Sequence, residues 1–431
     1  MYGSSTWSLK NRLKELDWTF IKGSAALSIG SVIARILGFA YSLVLAAIFL
    51  PEEFGAVKYA ITLGGIAAIV TQPFGQHVLA RFVGLHQHDN DAQKRFLANA
   101  WVIALCLLCA TIFIVVSLMA FMKAFDIGVL FVFLGTTVFY SYWGLASGFQ
   151  APYRLTIAYL ASNIVQIALV GLFLYWMNIR SPQLAVTIYG ISYFIPLALL
   201  QIMQPLPLNF QWKYVCRTDL FDILKFSVPV WLSHAGYVIF NALPILFLEY
   251  YVGKAAVGVY SASLTLTMVY LFVPQAMAAL LLPRAASLPK TEHRKLMLKT
   301  LSLSFLVNFI GLILYIPLLR WVVNVVYGPA YLVSMNTYIL LSIAMIAFGS
   351  HSIITAILVG GGKASYETLS RMIALICTAI AGWYLIPHQE VFGTALTEFI
   401  GVLALLGVYG VIGWRLRFGT RSRKVLRPIV F

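Results

Sequence analysis

Arg35 says most about the chemistry of this sequence. It falls thirteen residues after Lys22, inside the apolar run 22–50, which puts it about 20 Å along a helix that rises 1.5 Å per residue. A charge at that depth in a bilayer costs at least ~2.5–3.5 kcal/mol and calls for a polar interior or a partner. Its neighbours supply such an interior, because Ser24, Ser28, Ser31, Arg35, Gly38 and Ser42 step by four and three along one helix face. In the run 223–251, Ser227, His234 and Asn241 recur every seven residues, at positions that align with Ser24, Ser31 and Gly38. Two polar stripes facing a cavity would suit an anionic, hydrogen-bonding ligand, and the guanidinium fork of Arg35 would hold two oxygens of a phosphate. The plainer alternative for the serines is a small-residue seam between helices.

A second group of candidates sits near helix ends. Arg81, Arg154, Arg284, Lys363 and Arg371 can form an anion-attracting vestibule, although each can equally be a topology anchor. Glu249 and Glu398 are the acids nearest membrane depth and are candidates for a coupling proton or Na⁺, the alternative being interfacial acids bonded to a neighbour. No other cofactor is expected. His77, His234 and His351 lack metal-ligand spacing, and Cys106, Cys109, Cys216 and Cys377 form no Cys/His cluster, so they read as structural thiols.

The elements that must position these residues are membrane helices. Sixty-one per cent of the 431 residues are hydrophobic and ten per cent charged, with apolar runs of membrane-spanning length throughout. Such runs must be helical in lipid. The reading is an all-α polytopic membrane protein with about twelve transmembrane helices, at 22–50, 58–83, 96–122, 127–149, 154–177, 184–203, 223–251, 256–282, 299–321, 331–359, 366–386 and 391–413. An even count puts both termini on one side. Twenty-four of the thirty Lys and Arg fall on that side, five opposite (Lys58 among them), and Arg35 lies within a span. The positive-inside rule makes the side of the termini cytoplasmic, in an inner, plasma-type membrane. The net charge of +16 is then largely an orientation signal toward anionic membrane lipids, and nucleic acid is not an expected partner.

Residues 1–20 form an amphipathic N-terminal segment, with Leu9, Leu13, Leu16 and Phe20 at helical spacing. It reads as a helix lying on the membrane surface and not as a cleavable signal. Residues 21–204 make a first lobe of six spans, 205–222 a polar cytoplasmic linker, 223–414 a second lobe of six, and 415–431 a basic cytoplasmic tail. The lobes look like copies. Phe54-Gly55-Ala56-Val57-Lys58-Tyr59 is matched by Val257-Gly258-Val259-Tyr260. Fourteen residues after each tyrosine come Pro73 and Pro274, followed by Arg81 and Arg284 with a slip of two positions. Six spans per copy give the same orientation, hence a pseudo-twofold along the membrane normal. Pro73, Pro229, Pro244 and Pro274 are expected to kink their helices.

Several segments carry a family resemblance. Ile33-Ala34-Arg35-Ile36-Leu37-Gly38-Phe39, followed by Leu50-Pro51-Glu52-Glu53-Phe54-Gly55, resembles the opening of the polysaccharide transporter family of Wzx-type flippases. Gly148-Phe149-Gln150-Ala151-Pro152-Tyr153-Arg154 is similar to that family's cytoplasmic turn, and Val257-Gly258-Val259-Tyr260-Ser261-Ala262 to its second-lobe signature. The family shares a superfamily, MOP, with lipid II flippases and MATE transporters. The resemblance implies two six-helix lobes that open alternately to either side. It implies as substrate an undecaprenyl-diphosphate-linked oligosaccharide, such as an O-antigen repeat, passed headgroup-first through a cationic lumen, and other polysaccharide assembly proteins as partners. Arg35 falls on the arginine of the family's first-helix motif, and Arg81 near the basic residue that closes its second helix. The lipid II flippases have fourteen spans and acidic cation ligands on late helices. Twelve spans are counted here, and for such a cation site only Glu249 and Glu398 are available.

Two other classes compete. A cation-coupled MATE-type drug or metabolite antiporter shares the fold but binds cations near embedded acids, which are scarce here. A membrane enzyme would need a sizeable outer loop or an acid/His constellation facing the sugar, and the outer loops are short.

Overall fold

The computed structural model describes residues 18–85, 89–121, 126–203, 205–206, 212–287, 290–333, 335–360 and 365–418. The N-terminal segment up to residue 17, Lys363 and the tail beyond 418 lie outside the described residues. Among those described there is no strand, as an apolar chain that must satisfy every backbone group within lipid requires.

The helices run in chain order as α1 (Trp18–Ile48), α2 (Pro51–Ala67), a π-helical turn (Phe74–Leu79), α3 (Ala80–Leu85), α4 (Asn90–Phe121), α5 (Ile127–Gly148), α6 (Pro152–Val170, prolonged by a π turn Gly171–Trp176), α7 (Pro182–Met203), α8 (Arg217–Tyr251), α9 (Lys254–Thr267), α10 (Val269–Ser287), α11 (Lys290–Val326), α12 (Met335–Gly360) and α13 (Ser365–Phe418). Among the described residues nine helices are long and apolar enough to cross a bilayer, and α9 with α10, bent by 51°, makes a tenth passage. α13 is two helices joined across Glu390 (φ 47°, ψ −123°), which adds an eleventh. The helix over 51–85 is broken between Ala67 and Phe74. The chain is a multi-pass membrane protein.

What faces outward supports the same reading. Phe113, Ile114, Phe305, Phe309, Ile313 and Leu314 are exposed on α4 and α11, an apolar surface that water would not tolerate and acyl chains satisfy. Tyr175, Trp176, Trp321, Trp383 and Tyr384 are exposed toward helix ends, where amphipathic rings sit at headgroup level.

By internal packing the chain divides into two units, residues 1–235 and 236–431, with the division inside α8. In the first unit, small residues let backbones touch. A Cβ on Gly144 of α5 would fall on the Gly75 carbonyl, and one on Gly135 would fall on the carbonyl of Gly190 in α7. The start of α8 belongs to this unit. Ile223 is buried with Phe74, Val83, Phe96 and Leu97, and Arg95 of α4 holds Asp219 through two bonds of 2.9 and 2.8 Å. Buried Asn99 donates to the Tyr214 carbonyl at 3.0 Å and accepts from the Cys216 N–H at 2.8 Å, tying down the strand of chain that enters α8.

In the second unit, α10 packs on α12 with Pro274 against Gly349. The correspondence between the halves extends to a defect. The second passage of each unit breaks, at Ala68 nine residues after Tyr59 and at Met268 eight residues after Tyr260. These breaks fall in the turns just ahead of Pro73 and Pro274, where a proline ring crowds the carbonyl four residues back, as expected of them, while α8 runs as one continuous helix through Pro229 and Pro244. Pro73 immediately precedes the π turn, where a missing N–H costs little.

Candidate functional site

In α1 the two flanks differ. Ala34, Tyr41 and Leu45 are buried, Gly30 and Gly38 abut Thr156 and Asn163 of α6, and the Tyr41 hydroxyl donates to the Ala185 carbonyl of α7 at 3.4 Å. Ile29, Ile33, Ile36 and Val44 are exposed on one flank. Arg35, two residues after Ile33 and so about 160° around the helix, is exposed on the other. It makes no hydrogen bond or ion pair among the described residues. The stripe is therefore of mixed use: Gly38 is a packing contact, Ser31 is half-buried, and Ser42 is buried as an acceptor for Lys58 Nζ at 2.9 Å. The side chains of Ser24 and Ser28 lie outside the described residues.

Lys58 was not singled out by sequence. It stands seven residues into α2, half-buried over the Phe54 ring at 5.3 Å, with no carboxylate beside it among the described residues. A second polar group surrounds the π turn. Thr71 and Thr137 share a hydroxyl bond of 2.7 Å, and His234 Nε2 donates to Oε1 of buried Gln72 at 2.9 Å. The His77 and His234 rings are 6.3 Å apart. Arg81 lies 4.3 Å over the Phe226 ring. π turns inside helices recur at functional sites because they reorient side chains. Here the turn sets Gln72 and His77 against α8. Arg154 is half-buried in the first turn of α6.

In the second unit Glu398 is buried and hydrogen-bonded to Tyr260, itself enclosed by Leu248, Leu341 and Ile386. No cationic side chain pairs with it among the described residues. Glu249 is half-buried two residues before the end of α8. Asn241 is exposed and donates back to the Tyr237 carbonyl at 2.7 Å. Arg371 is ion-paired with Glu367 one turn earlier and lies 4.7 Å over the Tyr237 ring. The side chain of Arg284 lies outside the described residues, as does Lys363. Sequence spacing of i, i+4 could have revealed the Glu367–Arg371 pair. The Lys58–Ser42 and His234–Gln72 contacts join distant positions and carried no such signal.

A family model described as "Polysaccharide biosynthesis protein" matches residues 20–289. A curated relative, the capsular polysaccharide biosynthesis protein CapF of Staphylococcus aureus, is 23% identical over 193 residues, which is 44% of this chain and about half (49%) of the relative's length. Among solved structures, the lipid II flippase MurJ in an inward closed conformation superposes with TM-score 0.69 at 14% identity, covering 93% of each chain. A MATE family transporter of the MOP superfamily in an outward-facing conformation gives 0.60 at 15% identity, over 94% of this chain and 97% of that one. This chain shares the fold of these two structures.

Proposed function

Because this chain belongs to the polysaccharide biosynthesis protein family, and its fold is that of MOP transporters, we propose that it is a flippase. It carries an undecaprenyl-diphosphate-linked oligosaccharide from the cytoplasmic to the outer leaflet of the inner membrane by alternating access, with both termini cytoplasmic.

The observation that carries this reading is Arg35. It is a cation at mid-span, exposed on the flank away from the apolar surface of its helix and bound to no protein anion among the described residues. Such a guanidinium needs an anionic guest, and a diphosphate matches its fork. Arg81, Arg154, Arg284 and Lys363 serve as the entrance that attracts the headgroup, with Ser31, His234 and Asn241 adding hydrogen bonds. Glu398 carries the coupling ion. An unpaired carboxylate at that depth is costly, and a bound proton or Na⁺ removes the cost in one state of the cycle. Glu249 is the second candidate for that role.

One observation favours a second reading, a cation-coupled antiporter of drugs or metabolites: the buried Glu398 occurs in a fold shared with MATE transporters. The two readings separate at Arg35. Removing this arginine leaves no partner orphaned among the described residues, so Arg35→Ala should keep a folded protein in the membrane and abolish flipping. Arg35→Lys retains the charge without the fork and should keep part of the activity. The measurement is lipid-linked oligosaccharide on each face of the membrane, alongside the amount of folded protein. Wild-type flipping by Arg35→Ala would refute the assignment.

A further inference from the structure

The second unit contains a cavity of about 340 Å³, within the ~300–1,000 Å³ range of small-ligand sites. Its polar lining comes from Gln275 on α10, Ser352 and Thr355 on α12, Glu367 and Arg371 on α13, and Tyr237 on α8. Most of these groups already have partners. Ser352 donates to the Phe348 carbonyl, Thr355 shares a bond of 2.9 Å with the Tyr409 hydroxyl, and Glu367 holds Arg371. Behind them Tyr409 also meets His351 at 3.3 Å and accepts from Ser370 at 3.2 Å, so the wall is a braced network joining α12 to both ends of α13.

Two groups are left over. The Arg371 Nε is buried without a hydrogen-bond partner, and the Gln275 amide has none among the described residues. Gln275 is half-buried on the cavity wall with its amide open to a guest, while the enclosed Arg371 Nε adds to the local demand for an acceptor. The pair Glu367–Arg371 makes the formal charge of the cavity zero. A diphosphate entering it would meet a carboxylate, whereas a hydroxyl group, which both donates and accepts, is served by the amide, the carboxylate and the guanidinium together. The stacked rings of Phe348 and His351, 5.7 Å apart, supply an apolar wall suited to the C–H face of a sugar.

We propose that this cavity holds a sugar ring of the transported glycan, separate from the group that receives the diphosphate. The assignment rests on the flippase reading. It recasts Arg371, whose sequence position suggested a phosphate ligand, as half of a hydroxyl-binding pair.

The test is equilibrium binding of two lipids to the full chain in nanodiscs. One is undecaprenyl diphosphate without sugar, and the other is the lipid-linked oligosaccharide extracted from host cells in which this chain has been inactivated. Gln275→Ala and Glu367→Gln should each weaken binding of the glycan-bearing lipid by about tenfold, the scale of one lost charge-assisted hydrogen bond. Binding of the sugar-free lipid should stay within about twofold. Three results would overturn the sugar site: equal weakening toward both lipids, unchanged glycan binding by folded variants, or tighter binding of the sugar-free lipid by Glu367→Gln. A wild-type chain that binds neither lipid would instead remove the flippase reading itself.

Discussion

Arg35 and Glu398 show what a residue's depth can and cannot reveal. A charge inside an apolar run is visible in the sequence because its cost is set by position alone, and the structure leaves Arg35 exposed without a partner among the described residues. The environment of Glu398 could not be read that way, since its partner Tyr260 lies 138 residues away on another helix. The same holds for Lys58, which counts as an outer anchor in the sequence but hydrogen-bonds Ser42. If the carboxyl of Glu398 exchanges a coupling ion, Glu398→Gln removes that exchange while keeping the shape and the hydrogen bond to Tyr260. Transport should then fall at least tenfold with the folded protein at its normal level, an effect worth about 1.4 kcal/mol. Normal transport by Glu398→Gln, and by Glu249→Gln as well, would end the coupling assignment.

The helices were the most readable part of the chain, because a bilayer fixes both their length and their hydrogen bonding. Eleven of the twelve apolar runs fall on nine membrane-length helices and one bent pair among the described residues, α13 taking two of them, and the run 58–83 falls on the broken helix 51–85. The breaks were read in part: the second passages break in the turns just ahead of Pro73 and Pro274, where proline acts, while α8 is one continuous helix through Pro229 and Pro244. Where a helix bends depends on what its neighbours press against it, and the close backbone approach of Gly75 and Gly144 at the π turn is such a contact. Gly144→Val must push α5 off the π turn. It should lower stability by an amount at the upper end of the ~1–3 kcal/mol typical of overpacking, read as a drop in melting temperature and folded yield. Gly65→Ala is the control, because a Cβ there meets nothing within 4 Å. It should be neutral or stabilising by at most about 1 kcal/mol. Equal behaviour of the two variants would contradict the packing described.

For the molecule as a whole, charge asymmetry predicts a topology, and family membership places the chain among polysaccharide biosynthesis proteins. If 24 of the 30 basic residues face the cytoplasm, reporter domains fused after residue 212 and at the C-terminus should both be active inside the cell. Activity outside at residue 212 would invert the orientation and the entrance built on it. The central claim is that this chain moves a glycolipid between leaflets, and purified chain in proteoliposomes tests it most directly. Vesicles are loaded on the inner leaflet with lipid-linked oligosaccharide from host cells lacking the chain, and a glycosidase is added outside. Vesicles holding the chain should expose the glycan to cleavage while protein-free vesicles keep it shielded. Glycan that stays shielded in both, with the same folded protein exchanging a cationic dye for protons, would contradict the account in favour of an antiporter.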